Sequence, residues 1–179
     1  MAILTSNEIL KRIDKGDIVI SPFNKEQLNP NSYNVTLGDT LLVYSNALND
    51  KILDPHFDKT LKTRKIKIPE KGFILRPNTL YLASINEYTE TYNLVPKIEG
   101  RSSIGRLGLF IHVTAGYGDI GYKGNFTLEL MCIHPVKIYP NMKIAQISYN
   151  TIEGKVTNSY NGKYQNIKIP QGSKIYEDK

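Results

Sequence analysis

Short apolar segments recur at close and even spacing along most of this chain, and this pattern restricts the fold more than any other feature. From residue 70 onward they are separated by Gly, Pro and Asn, and no segment between them has a helical period. Such spacing is typical of all-β sandwiches, jelly rolls and barrels, whereas parallel βαβ units need helices between the strands. The predicted strands are centred on residues 17–20, 33–37, 41–44, 73–75, 80–83, 94–98, 109–113, 126–133, 136–139 and 144–149.

One helix is predicted near the start of the chain, over residues 5–15. Thr5 and Glu8 have the spacing of a capping box, and Gly16 fits the helix end. An apolar face at helical spacing indicates that this helix packs on the body of the protein. That face consists of Ile9, Leu10 and Ile13.

The chain of 179 residues fits one domain, residues 1–179, with a sizeable core. Residues 45–65 are polar and weakly patterned, which predicts a long loop. The C-terminal residues 158–179 are polar and rich in Gly, Lys and Tyr. Such a segment is either a disordered tail or a lid, because a tail that folds over a ligand needs aromatic and hydrogen-bonding groups.

The cysteine and histidine content excludes several kinds of site. The single cysteine, Cys132, permits no internal disulfide and no cysteine-based zinc site within one chain. His56, His112 and His134 lie far apart and form no paired-ligand motif. The sequence therefore predicts no metal held by side chains alone, although an ion carried in by a substrate is compatible with it.

The charge and the apolar segments bear on partners and location. There are 23 basic and 17 acidic residues, a net charge of +6. This excess fits either a lysine-rich solvated surface or a polyanionic ligand, and the scattered basic residues match no nucleic-acid-binding signature. No apolar run reaches the length of a membrane span, and the N-terminal residues lack the pattern of a signal peptide. We therefore expect a soluble cytoplasmic protein that binds neither nucleic acid nor membrane.

Residues 100–106, GRSSIGR, have the composition of a phosphate-binding segment. Arginine presents a planar fork of donors that matches phosphate oxygens, serine hydroxyls add further donors, and the glycines allow close backbone approach. An RSS tripeptide alone is more often a turn on a solvated surface. The second arginine and the glycine-rich segment that follows favour the phosphate interpretation.

Residues 116–124, GYGDIGYKG, form a glycine-punctuated loop or hairpin. The structural interpretation is a tight turn with Asp119 as a turn residue. The functional interpretation makes Asp119 an acceptor or general base and Tyr122 an aromatic surface for a sugar. Both interpretations can hold together.

The predicted strand at residues 126–132 alternates, with Phe126, Leu128, Leu130 and Cys132 on one face. Glu129 lies on the other face, with Thr127 and Met131. It is either a solvated carboxylate on a half-exposed strand or a general acid/base. Partial burial next to phosphate-binding residues would favour the second role.

Residues 100–130, GRSSIGRLGLFIHVTAGYGDIGYKGNFTLEL, resemble the core signature of the dCTP deaminase family, a metal-free branch of the trimeric dUTPase-like superfamily. MAILTSNEI, LNPNSYNVTLG, EYTETYNLVPKIEGRSS, MKIAQI and SYNGKYQ extend the resemblance over nearly the whole chain. It implies a mainly β fold, a dUTPase-like distorted jelly roll or β-barrel with a short N-terminal helix. It also implies a homotrimer whose active sites are shared between subunits.

The resemblance implies a role for each matched residue. Glu129 would move protons as water adds to C4 of cytosine and ammonia leaves. Thr114, Ala115 and Gly116 would contact the pyrimidine through their backbone, and Tyr122 would pack on the deoxyribose. The triphosphate and the attacking water would be positioned by Arg101, Ser102, Ser103 and Arg106, with Ser102 and Arg106 counted among the catalytic residues.

The C-terminal segment resembles the family's lid, which would close over base and phosphates with Tyr160, Lys163, Gln165 and Gln171. The chain also departs from the family pattern. Asn34 stands where many members carry aspartate, and residues 167–169 replace the polar or glycine residues that usually follow KYQ.

The resemblance leaves two products open. Some members release dUTP, whereas others also hydrolyse the triphosphate to dUMP and diphosphate, with Mg²⁺ carried by the phosphates and Asp119 orienting water. Residues 115–117, AGY, resemble the dUMP-forming members, so we expect dCTP and dUTP as ligands, dUMP as the product and dTTP as an inhibitor. The alternatives are a deaminase that stops at dUTP, a dUTPase without deaminase activity, and a non-catalytic nucleotide sensor.

Overall fold

The computed structural model describes residues 2–49 and 51–178. In these residues the protein is mainly β, with a barrel-like main sheet and a short N-terminal helix, which confirms the expected fold class. The helices are α1 (Ser6–Asp14) and the single turn α2 (Ser102–Gly105), with 3₁₀ turns at Lys25–Gln27, Ala47–Asn49, Asp58–Leu61 and Ile175–Glu177. The strands are β1 (Ile18–Ser21), β2 (Leu28–Asn29), β3 (Ser32–Tyr44), β4 (Thr63–Lys67), β5 (Phe73–Leu75), β6 (Tyr81–Ile85), β7 (Tyr88–Thr91), β8 (Val95–Gly100), β9 (Leu109–Phe110), β10 (Lys123–Gly124), β11 (Thr127–Cys132), β12 (Val136–Ile138) and β13 (Lys143–Asn150).

The main sheet is organised around β3, which is 13 residues long. Its strand order is β8-β13-β3-β6-β11-β9, and β2 and β4 also pair with β3. The first half of β3 pairs with β13, and the second half pairs with β4 and β6. A register shift between Leu37 and Leu41 marks the change of partner. Because of this register shift, one strand can belong to both parts of a curved, barrel-like sheet.

Two smaller sheets complete the β structure. The order in one is β1-β7-β10, and β12 pairs with β5 in the other; each pairing is antiparallel. The hydrophobic core combines side chains from the main sheet and from both smaller sheets. Alternating side chains supply it, as in β3, where Tyr33, Val35 and Leu37 are fully buried.

Helix α1 covers one side of this core, as its apolar face predicts. Ile9 is fully buried, and the helix ends at Asp14, two residues before Gly16, whose φ of +76° is the left-handed conformation usual after a helix. The predicted capping box is wrong. The Thr5 side chain makes no capping hydrogen bond, and Glu8 instead pairs with Arg12 one turn later, at 3.2 Å.

Residues 158–178, hereafter the strap, run back over the body of the same chain. The Ile167 carbonyl accepts the Asn125 amide hydrogen at 2.7 Å, and Ile167 forms a parallel bridge with Gly124. The strap thereby adds a short stretch to the free edge of β10. In the part of the chain described, no helix combines the length and apolar character needed to cross a membrane.

Candidate active site

The site is centred on Glu129, which β11 projects away from the core. Leu128 and Leu130 on either side of it are fully buried. β11 pairs antiparallel with β9 through Met131 and Phe110, and the Glu129 amide donates to the Ile111 carbonyl at 2.8 Å. Because this pairing continues beyond the end of β9, the residues that follow β9 lie alongside Glu129.

Two side chains of that segment face the Glu129 carboxylate. The Thr114 hydroxyl donates to Oε2 at 2.8 Å, and Nδ1 of His112 lies 3.8 Å from the same oxygen. Nε2 of His112 is 2.8 Å from the Ala115 carbonyl. Because a carbonyl oxygen can only accept, Nε2 carries a proton, and the buried Nδ1 has no hydrogen-bond partner in the described structure.

Glu129 opens into a cavity of about 310 Å³, within the size range of small-ligand pockets. Its walls are formed by residues of the strap together with residues from the rest of the chain. Apolar and aromatic side chains dominate. Its lining residues are Tyr44, Leu80, Leu82, His112, Ala115, Tyr122, Phe126, Thr127, Glu129, Tyr164, Ile167, Gln171, Gly172 and Ser173.

Tyr122 forms an aromatic wall of this cavity, where a sugar-packing ring was expected. Its ring lies 4.7 Å from that of Phe126 and 6.0 Å from that of Tyr160, between centroids. Its hydroxyl donates to the Asn125 carbonyl at 3.2 Å, and burial raises the pKa of Tyr122 well above its usual value. The ring is thus a fixed, uncharged surface.

The glycine-rich loop before Tyr122 is attached to the edge strand β8. The Gly116 carbonyl accepts from the Ile98 amide, and the Gly118 amide donates to the Pro96 carbonyl, each at 2.8 Å. A Cβ on Gly118 would lie 2.8 Å from the Pro96 ring, so this glycine is needed for close packing. Ala115 lines the Glu129 cavity, whereas Gly116 does not.

A second cavity, of about 240 Å³, lies at the phosphate-binding segment. Arg101 lies between strand β8 and helix α2, and its guanidinium donates to the Lys143 carbonyl at 3.1 Å. The serines that follow it are exposed in α2 and offer free hydroxyls. The lining residues are Asn29, Asn34, Arg101, Ser102, Ser103 and Gln146.

Hydrogen bonds between neutral side chains order the floor of this second cavity. The Ser32 hydroxyl donates to Gln146 Oε1 at 3.0 Å, and Asn34 donates to Asn29 Oδ1 at 3.0 Å. The Gln146 side-chain amide donates to the Gly100 carbonyl at 3.5 Å, which leaves its second amide hydrogen available as a donor. The cavity therefore offers hydroxyl, amide and guanidinium donors and no carboxylate, which suits an anionic ligand.

The two cavities share no lining residue. A single chain thus keeps Glu129 apart from Arg101, Ser102 and Ser103. Arg106 and Asp119 are exposed and line neither cavity. Within one chain, the structure does not assemble the complete set of residues singled out in the sequence.

The structure divides the expected strap residues between two locations. Gln171 lines the Glu129 cavity, and its backbone amide donates to the Thr127 hydroxyl at 3.3 Å. Gln165 lies outside it, because its side chain binds backbone: Oε1 accepts from the Lys123 amide at 2.7 Å, and Nε2 donates to the Gly121 and Tyr160 carbonyls. Lys163 pairs with Asp178 near the end of the strap.

The cavity residues that were not singled out from the sequence include His112, Gln146 and Tyr44. Gln146 lies in a strand and looks like an ordinary polar position. His112 could have been found by extending the β9–β11 register to Glu129, but that pairing is not visible in a pattern. No signal in the sequence marks Tyr44, which comes from a distant part of the chain.

The described residues contain no group of three or more His, Cys, Asp or Glu side chains that could hold a metal ion. The phosphate-type cavity supplies only amide, hydroxyl and guanidinium groups. This donor set suits an anion and supplies no carboxylate, the usual protein ligand of a hard cation.

Comparison with known protein families gives one matching model, described as dCTP deaminase-like, over residues 3–152. Two curated proteins named "dCTP deaminase, dUMP-forming" align along almost their full length. One from Clostridium botulinum (strain Eklund 17B / Type B) is 53% identical over 176 residues, covering 98% of each chain. One from Leptospira biflexa serovar Patoc is 49% identical over 176 residues, covering 98% of this chain and 97% of its own.

Among solved structures, the 2'-deoxycytidine 5'-triphosphate deaminase from Agrobacterium tumefaciens has a similar fold. The TM-score is 0.65 at 18% sequence identity, over 83% of this chain and 47% of that one. At this identity the likeness concerns the fold alone.

Proposed function

This chain belongs to the dCTP deaminase-like family, and from that membership and the site geometry we propose that it converts dCTP to dUMP. The overall reaction consumes two water molecules and releases ammonia and diphosphate. The observation that carries the proposal is Glu129, which accepts a hydrogen bond from Thr114, lies beside His112 and lines a ligand-sized cavity. Its relatives' names, which specify dUMP formation, support the choice of product.

Deamination at C4 needs a group that both removes and returns a proton. Glu129 Oε2 is bound by Thr114, which leaves Oε1 for the attacking water. The carboxylate takes a proton from this water as oxygen bonds to C4. It passes this proton to N3, then takes the remaining proton of the C4 hydroxyl and delivers it to N4, so that C4=O forms, the C4–N4 bond breaks and ammonia leaves. This route uses no zinc, in agreement with a sequence that has one cysteine.

We propose that the nucleoside occupies the Glu129 cavity with its sugar against Tyr122, while the triphosphate contacts Arg101, Ser102, Ser103 and Arg106 of a neighbouring subunit. The separation of the two cavities within one chain supports this arrangement. So does a group of apolar side chains around β9 and β11 that are 39–68% exposed, since contiguous apolar surface usually marks an interface. These residues are Leu107, Phe110, Val113, Met131 and Ile133.

A homotrimer is the assembly that this arrangement favours, because a head-to-tail contact that closes on itself gives every subunit the same shared site. In the trimer the strap would act as a lid over the nucleoside. A cytoplasmic location fits a nucleoside triphosphate substrate and a buried, unpaired Cys132.

The second step is hydrolysis at the α-phosphorus of the deaminated nucleotide. We assign Asp119 to orient the attacking water, because its carboxylate is exposed and makes no side-chain hydrogen bond or ion pair in the described structure. Water attacks the α-phosphorus in line and diphosphate leaves. Mg²⁺ bound to the triphosphate would neutralise its charge, and Arg101 and Arg106 would add to that effect. A cavity that accepts the triphosphates dCTP and dUTP would also accept dTTP, which would then compete with the substrate.

A product assay tests the proposal. The protein is incubated with dCTP and Mg²⁺, and nucleotides and diphosphate are separated by chromatography. We expect dUMP and diphosphate, with little free dUTP. Accumulation of dUTP would reduce the function to deamination. Intact dCTP with hydrolysed dUTP in a parallel reaction would indicate a dUTPase instead.

A further inference from the structure

Three backbone amides of the strap donate to tyrosine hydroxyls. The Tyr164 amide donates to Tyr160 at 3.1 Å, and the Lys174 amide donates to Tyr164 at 2.9 Å. The third contact joins the Ser173 amide to the Tyr44 hydroxyl at 2.8 Å. The first two tyrosines belong to the strap itself, whereas Tyr44 is the last residue of β3. Tyr44 therefore connects the end of the strap to the body.

Tyr44 is built into a rigid part of the sheet. It is 8% exposed and lies opposite Thr63 in the β3–β4 pair. Burial raises the pKa of Tyr44, so its hydroxyl stays protonated and uncharged over the ordinary pH range. Because its ring and backbone are held by β3 and β4, its hydroxyl is a fixed acceptor for the strap.

The strap has no side chain where it crosses this pair. A Cβ on Gly172 would lie 3.2 Å from the Thr63 methyl carbon and 3.8 Å from the Tyr44 ring. Glycine thus lets the strap backbone approach the sheet closely enough for the next amide, that of Ser173, to reach the hydroxyl.

Tyr44, Gly172 and Ser173 all line the Glu129 cavity. The end of the strap is therefore one wall of that cavity. With the strap in this position the cavity still has a volume of about 310 Å³, so the strap does not fill it.

We propose that Tyr44 is a positioning residue, whose hydroxyl clasps the Ser173 amide and holds the strap as a preformed wall of the nucleoside cavity before nucleotide arrives. Ordering a segment on binding costs conformational entropy, and a wall that is already ordered reduces this cost. The clasp thus favours nucleotide affinity and has no part in proton transfer. This inference rests on the proposed function in taking the Glu129 cavity as the nucleoside site.

The variant Tyr44→Phe tests the clasp, since it removes one hydroxyl and keeps the ring. Tyr139→Phe is the matched control, because Tyr139 is exposed and lines neither cavity. Hydrogen exchange of strap amides is measured without nucleotide, and steady-state kinetics are measured with dCTP. We expect faster exchange around residues 171–175 and a KM about fivefold higher, as for the loss of one hydrogen bond, with kcat nearly unchanged.

A second variant, Gly172→Val, tests the contact between Ser173 and Tyr44 by changing the strap instead of β3. Its extra methyl groups would crowd Thr63 and lift the strap end without altering β3, so it should reproduce both effects. Strap exchange that is unchanged in Tyr44→Phe would overturn the clasp. A lower KM would also overturn it, because the contact would then exclude nucleotide.

The two proposals fail separately in these experiments. Exchange without nucleotide reports on the clasp whatever the protein binds. If exchange rises but KM for dCTP does not change, the strap wall has no role in nucleotide binding and the inference is wrong. If Glu129→Gln keeps full deaminase activity, the proposed site is wrong even where the clasp exists.

Discussion

Thr114 donates its hydroxyl hydrogen to Oε2 of Glu129 at 2.8 Å, from a loop held against β11 by the β9 pairing. This bond orients the carboxylate on which the proposed deamination depends. Thr114→Val keeps the shape of the side chain and removes the donor. Since a hydrogen bond to a charged group contributes about 1.5–3 kcal/mol, we expect kcat for ammonia release to fall roughly tenfold or more. Thr114→Ser retains the hydroxyl and should restore most of the rate; equal losses in both variants would contradict the assigned role.

Glu129→Gln removes the proton acceptor and keeps the volume of the side chain. We expect ammonia release from dCTP to be abolished, while nucleotide binding persists in equilibrium dialysis. Glu153→Gln is the matched control, because Glu153 is exposed in the segment after β13. Ammonia release near the wild-type rate in Glu129→Gln would remove this residue from the mechanism.

Asp119→Asn separates the two chemical steps. Because Asp119 is exposed and lines neither described cavity, we expect it to serve diphosphate release and not deamination. The variant should lose far more diphosphate release from dUTP than ammonia release from dCTP, and dUTP should accumulate. Asp14→Asn, an exposed position in α1, serves as control. Parallel losses in both reactions would show that Asp119 only maintains its loop.

Shared sites can be tested by mixing subunits. Glu129→Gln and Arg101→Ala each inactivate a different half of the proposed site. If chains of the two variants are unfolded and refolded together in equal amounts, about a quarter of the sites in random head-to-tail trimers pair an intact Glu129 with an intact Arg101. We expect deaminase activity to return to that level in the mixture and not in either variant refolded alone. A mixture that stays inactive would place the site within one chain.

Gly124 is the position where the strap crosses β10. Its φ is +145°, and a Cβ there would lie 2.7 Å from the Ile167 carbonyl oxygen. Gly124→Ala should therefore displace the strap and raise KM, with faster amide exchange in the strap. Gly154→Ala is the control, since Gly154 also has positive φ, +91°, but no atom within 4 Å of its Cβ position. Similar strap exchange in both variants would mean that backbone strain alone is responsible.

The sequence predicted the strands whose side chains alternate clearly or form apolar runs. β11 is the best example, because Leu128 and Leu130 are buried and Glu129 faces the cavity, as the alternation indicates. β7 (Tyr88–Thr91) was not predicted, because its buried residues Thr89 and Thr91 are polar. Thr89 satisfies its hydroxyl by donating to the Gly124 carbonyl at 3.1 Å, a partner 35 residues away.

The predicted loop at residues 45–65 is partly wrong for a similar reason. Its last residues begin β4 (Thr63–Lys67), which pairs with β3 along five residues. The strand is rich in Lys and Arg and contains one aliphatic residue, Ile66. Charged side chains are common on edge strands, where they discourage pairing with other chains, and they hide the strand from a hydrophobic pattern.

The amino-acid sequence by itself determined which faces of the strands are buried, where helix α1 lies, and which residues are candidates for phosphate-binding and acid/base chemistry, because these follow from local periodicity and side-chain type. The tertiary structure alone decided which of those residues meet. It placed His112 and Thr114 beside Glu129, kept Arg101 in a separate cavity, and brought Tyr44 to Ser173 across 129 positions. The physical reason is that strand register and strap docking depend on backbone hydrogen bonds between distant segments. Every residue except proline has the same backbone donor and acceptor, so side-chain patterns do not reveal which segments will pair.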